Sequence, residues 1–183
     1  MTCIIGIGEA KAGITYIGGD SAASGGNQVF IVANPKVFRL GEYVLGYTSS
    51  FRMGDILELR VQAPKPLPKG VSLRQHLVRT WIDYLRSVYK QLGYLEIEKG
   101  VESGGTFLIG TRGHLCQIYG SFQANTPAEG YASVGSGDDL ALGALYATRS
   151  MNMNPRHRII LALQAAAYHT PFVRRPFKIL ASK

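Results

Sequence analysis

A chain of 183 residues with 46% hydrophobic and 17% charged side chains is long enough to bury a core and too apolar to remain disordered. Its net charge of +8 does not point to nucleic acid. The dense basic runs, Arg156-His157-Arg158 and Arg174-Arg175, lack aromatic interleaving, so solvated faces or a subunit contact are expected. No charged leader precedes an apolar core, and no apolar run approaches the roughly 18 residues of a membrane span, so a soluble, cytoplasmic protein is expected.

In chain order, residues 2–8 (TCIIGIG) and ITYIGGD read as two strands of a hairpin ending at Asp20, joined by the turn residues GEAKAG. SAASGGN reads as a loop. Residues 28–40 form one or two strands broken near Asn34-Pro35, because proline cannot serve a central ladder. After a turn at Gly41-Glu42, residues 43–47 make another strand. A helix starts near Ser50 with Met53, Ile56, Leu57 and Val61 on one face. PKPLPKG ends that pattern. Ser72 caps a long second helix with Leu73, Leu77, Trp81, Leu85, Val88 and Leu92 in one stripe, closed by Gly93. Residues 106–110 and 115–120 form a second hairpin about Arg112-Gly113, and 131–135 a short strand ending in GSGDD. A third helix starts at Asp138 or Asp139 and runs through Ala147. Asn154 with Pro155 opens a fourth, and PFKIL is a last strand. Strands, two helices, strands, two helices and a strand are segregated α+β. The economical packing is a four-layer αββα sandwich, with no visible domain boundary in 1–183.

The two cysteines, Cys3 and Cys116, lie in apolar strand runs without metal-ligand spacing. Buried free thiols are expected, and neither a metal nor another cofactor. The notable feature is a threonine opening a buried strand. Once Met1 is removed, which the small side chain of Thr2 permits, one residue carries both a nucleophilic hydroxyl and an α-amine of pKa about 7.7–8.0 as its base.

The segments TCIIGIG, IGGDSAAS, NPKVFRL, VLGYTSS and YASVGSG, in this order and at compatible spacing, resemble proteasome β-subunits and the bacterial HslV peptidase, which are N-terminal nucleophile hydrolases. The resemblance covers nearly the whole chain and needs no gap from Asp20 through Ser50. It implies a threonine endopeptidase with Thr2 as nucleophile, Asp20 holding Lys36, Lys36 lowering the pKa of neighbouring groups, and Ser136 relaying or orienting the proton of the Thr2 amine. It also implies an oxyanion donor in the backbone N–H of Ser50, and Ala23, Asn34, Thr48 and Arg52 around the side chain preceding the cleaved bond, with Arg52 making acidic or polar side chains tolerated there. Such sites sit inside homo-oligomeric rings that receive unfolded polypeptide, usually from an ATPase. Neither nucleic acid nor membrane is implied as a partner.

Two departures keep a catalytically inactive, structural subunit open as the alternative. The family's usual Gly-Gly pair is Ser49-Ser50 here, and an acidic residue after the last helix is replaced by Tyr168-His169-Thr170. A structural role capping the helix end is the expectation for His169.

Overall fold

The structure, a computed structural model, describes residues 2–25 and 28–182. The strands β1 (Ile4–Glu9) and β2 (Ile14–Gly19) form the first hairpin, in the register Ile5 to Gly18 and Ile7 to Tyr16. The segment read as a loop instead holds β3 (Ala22–Gly25), which pairs with β4 (Gln28–Ile31) in a separate two-stranded ribbon. Its small residues hid the strand, because Ala22 and Ala23 are both buried and leave no apolar–polar alternation. The break near Asn34-Pro35 is present, since β5 (Val37–Leu40) belongs to a different sheet and pairs with β6 (Tyr43–Tyr47).

Helix α1 (Phe51–Leu59) buries Met53, Ile56 and Leu57, as the periodicity predicts, and the Ser50 side chain caps it by accepting from the Met53 N–H. The long second helix is divided into α2 (Leu73–Thr80) and α3 (Ile82–Gln91). Trp81 leaves helical geometry at φ −133°, yet its N–H still reaches the Leu77 carbonyl and its carbonyl accepts from Leu85. The cause is tertiary. The indole N–H donates to the Gln62 carbonyl at 2.9 Å, and the ring packs edge-on against Phe107.

A short hairpin absent from the sequence reading follows, β7 (Glu96–Glu98) with β8 (Val101–Ser103). Then come β9 (Phe107–Thr111), β10 (His114–Ile118), the two-residue β11 (Ala124–Asn125) and β12 (Tyr131–Val134). Helices α4 (Asp138–Ala147) and α5 (Pro155–His169) and the strand β13 (Lys178–Ala181) complete the order. The Asn154 side chain caps α5, with Pro155 in its first turn.

Two main sheets result, β12-β1-β2-β13 and β11-β10-β9-β6-β5. Ile4, Ile17, Val37, Val44, Leu108 and Leu115 fill the space between them. Cys3, just before β1, and the β1 residues Ile5 and Ile7 face α4 and α5, meeting Leu145, Ile159 and Leu163. A third cluster seats α1, α2 and α3 on the outer face of the five-stranded sheet, through Met53, Leu57, Leu77, Leu85 and Ile109. The architecture is therefore the αββα sandwich expected. Burying one such Leu or Ile side chain contributes about 1.5–3 kcal/mol, and the strands are buried on both faces. Gly46 is needed where the sheets approach, since a Cβ there would lie 2.5 Å from Ile4 Cγ2. Among the described residues no helix is long and apolar enough to cross a membrane.

Candidate active site

Thr2 precedes β1 at the end of the sheet interface and is 6% exposed. Backbone pairing of β1 with β2 brings Asp20, the residue after β2, beside it. The Cys3 N–H donates to Asp20 Oδ1 at 3.0 Å, and the Ala22 N–H to Oδ2 at 2.8 Å. The Arg174 N–H also reaches Oδ2, at 3.4 Å. Lys36, directly before β5, enters the same buried space and donates from Nζ to Asp20 Oδ1 at 2.9 Å. Both side chains are almost wholly buried, at 1% and 0% exposure.

Burial lowers the Lys36 pKa from its ordinary 10.5, and the Asp20 carboxylate works against that shift by attraction and by the hydrogen bond. The pair is thus a buried ammonium held by a carboxylate that has its own backbone donors. Such a pair is costly to desolvate and costlier to break. Its field reaches the strand that Thr2 opens: the Cys3 thiol, pushed up to about 12 mainly by burial, feels both Asp20 and Lys36.

The Gly-rich segment after β12 closes the other side. The Thr2 nitrogen donates to Ser136 Oγ at 3.1 Å, and Ser136 Oγ donates to the Thr2 carbonyl at 3.3 Å. The Gly137 N–H reaches that carbonyl as well, at 3.3 Å. Gly135 permits this approach. It sits at φ 106°, and a Cβ on it would fall 2.3 Å from the Thr2 carbonyl oxygen and 3.2 Å from Thr48 Oγ1.

A small pocket joins Thr2 to Tyr47, Thr48, Ser49, Ser50 and Phe51. Thr48 therefore stands beside Thr2. The Ser50 N–H is not aimed at open space, however. It donates to the Thr48 carbonyl at 2.9 Å, closing a three-residue turn over Ser49 at φ 71°, the strained γ-turn region for a residue with a side chain. Ser49 Oγ accepts from the Thr106 N–H at 3.1 Å and anchors the turn. The Tyr94 hydroxyl hydrogen-bonds with the Ser50 side chain.

The remaining expectations separate. Ala23 is buried in β3 and Asn34 is exposed before Pro35; neither lines the Thr2 pocket. Arg52 departs from the sequence reading. Its guanidinium donates to the Leu92 carbonyl at 2.8 Å and lines a different cavity with Asp55, Leu59 and Arg60, because the chain leaving α3 offers it an acceptor. His169 is exposed at the end of α5 and packs edge-on against Tyr168. Met1 lies outside the described residues. Sequence reasoning missed the backbone donors of Ala22 and Arg174 to Asp20, and Tyr94 beside Ser50, which no side-chain pattern along the chain announces. Among the described residues no cluster of His, Cys, Asp and Glu could hold a metal ion.

No family model matches the chain, and no curated protein does. Solved structures do. Thiobacillus denitrificans BPH superposes with a TM-score of 0.80 at 21% identity over 100% of this chain and 98% of that one, and the same protein is known in complex with epoxomicin. Eukaryotic HslV from Trypanosoma brucei gives 0.68 at 16% identity, over 98% of each chain. An Anbu mutant from Hyphomicrobium sp. strain MC1 gives 0.71 at 14% identity, over 98% of this chain and 80% of that one. The chain accordingly has the proteasome-type fold of the N-terminal nucleophile hydrolases.

Proposed function

We propose that the protein is an N-terminal threonine endopeptidase, acting after removal of Met1. The observation that carries this reading is the convergence on Thr2 of two independent devices. Ser136 binds the Thr2 nitrogen from one side, and the buried Lys36–Asp20 pair lies beside the strand it opens.

With Met1 gone, the Thr2 nitrogen is an amine. The Thr2 hydroxyl attacks the peptide carbonyl, its proton passes to that amine directly or by way of Ser136, the amine returns a proton to the leaving nitrogen as the C–N bond breaks, and water then cleaves the resulting ester and frees Thr2. The Lys36 ammonium favours the deprotonated hydroxyl by its charge. The tetrahedral oxyanion takes the Ser50 N–H, which requires the turn over Ser49 to open as substrate enters. A donor already aimed at the oxyanion supplies about 3–4 kcal/mol, and opening the turn is set against that gain. The same reading carries an unfolded polypeptide as substrate, a homo-oligomeric ring in the cytoplasm and an ATPase that feeds it.

The bond from the Ser50 N–H to Thr48 favours a second reading, a catalytically inactive subunit with a structural role. Intact mass of the natively expressed protein, before and after incubation with epoxomicin, separates the two. The active reading expects loss of Met1 and an adduct on the wild type, with Thr2→Ala unmodified at unchanged thermal stability. Retained Met1, or equal modification of Thr2→Ala, overturns it.

A further inference from the structure

Two surface features are each unfinished, and they complement one another. The first is the β7–β8 hairpin. Ile97 is 63% exposed and Val101 62%. They stand on opposite faces, because Ile97 registers with Glu102 and Val101 with Glu98. A two-stranded ribbon with apolar side chains in water on both faces is marginal by itself. Its carboxylates differ. Glu102 is engaged by Arg86 at 2.7 Å, whereas Glu96 and Glu98 are exposed and make no ion pair among the described residues. Lys99 occupies the turn at the tip.

The second is a groove at the edge of the four-stranded sheet. Strand β13 is terminal in that sheet, and between it, the start of α5 and the chain after β4 lie two adjoining cavities of ≈ 590 and ≈ 550 Å³. Their walls are apolar, with Ile31, Ile160, Phe177 and Ile179. Arg156, Arg175 and Lys178 also line them, and none pairs with a carboxylate among the described residues. Arg156 adds its charge at the positive N-terminal end of α5.

We propose that the β7–β8 hairpin of one copy seats in the β13–α5 groove of the next, with Ile97 and Val101 against the apolar walls and Glu96 and Glu98 against Arg156, Arg175 and Lys178. The hairpin follows α3 on the side of the five-stranded sheet, and the groove edges the four-stranded sheet beside α5. The contact therefore joins different surfaces of two copies, which is the head-to-tail kind that closes into a ring or extends. Opposite charge around an apolar contact sets register and suppresses wrong partners. The proposal rests on the assembly part of the reading above and not on its chemistry.

Charge reversal tests it. Sedimentation is run on the full chain at low salt, with circular dichroism to show that each variant is folded. Wild type is expected to be oligomeric. The hairpin variant E96K/E98K and the groove variant R156E/K178E are each expected to sediment as folded monomers. Combining all four substitutions in one chain, or mixing the two variants, is expected to restore the wild-type species, because a cationic hairpin then meets an anionic groove. An oligomer indifferent to either reversal overturns this interface while leaving ring assembly standing. A wild type that stays monomeric overturns both. Failure of the combined variant to reassemble overturns the pairing. A groove that binds acidic peptides in a chain that does not self-associate assigns it to another partner.

Discussion

Lys36 and Asp20 form a buried ion pair to which the proposed mechanism also gives a chemical role. The ammonium has left water completely, and what holds it is a carboxylate already satisfied by the N–H groups of Cys3 and Ala22. Lys36→Met removes one member of a buried pair, and such losses cost about 3–5 kcal/mol because the remaining charge stays buried. Thermal unfolding should register that loss. Modification by epoxomicin should be abolished even at temperatures where circular dichroism shows the variant fully folded. A wild-type rate in folded Lys36→Met would remove Lys36 from the mechanism and leave it a structural role. Each of these residues was legible from its place in an ordered set of motifs. The donors that satisfy Asp20 were not, because backbone N–H groups look alike in every sequence.

At the scale of elements, the segment from β12 into α4 holds Thr2 through the Ser136 side chain and the Gly137 N–H. Gly135 makes that possible, with φ 106° and no room for a Cβ against the Thr2 carbonyl. Gly135→Ala should destabilise by more than about 1 kcal/mol, since the backbone there disfavours any side chain. It should also slow the reaction with epoxomicin, because residue 2 must shift. Unfolding midpoint and adduct rate measured together check both parts, and an unchanged rate with lowered stability would show that the placement of Thr2 tolerates movement. The helices were readable where a polar cap met apolar periodicity, as at Ser50, Ser72 and Asn154. The break at Trp81 was not, because it follows from an indole bond to Gln62, distant along the chain.

The whole molecule carries several ionisable groups held neutral in its interior. Burial pushes Cys3 and Cys116 up to about 12 from 9.0, and Tyr47 up to about 12 from 10.0. For each, the unfolded chain releases a proton at lower pH than the folded one. The stability tied to the neutral thiols is therefore fully present below pH 9 and is lost as pH rises toward 12, by at most about 1.4 kcal/mol per pH unit per group. Lys36 acts oppositely between its lowered pKa and 10.5, where the unfolded chain holds the extra proton, but it is one group against the cysteines and tyrosines that burial raises. The unfolding midpoint should stay level to about pH 9 and then fall, with a shallower fall in Cys116→Ala. A midpoint independent of pH from 8 to 11 would contradict this.

The layer order could be read along the chain, as could Asp20, Lys36 and Ser136 as candidates to stand near Thr2. Alternation, caps and turn residues are local, and the motifs recur in a set order along the chain. Folding alone set where the Ser50 N–H points, the bond from Arg52 to the Leu92 carbonyl and the strand β3 in the segment read as a loop. The Arg52 bond depends on an acceptor 40 residues away, and the turn at Ser49 on its anchor at Thr106, 57 residues away, approaches that spacing along the chain does not encode.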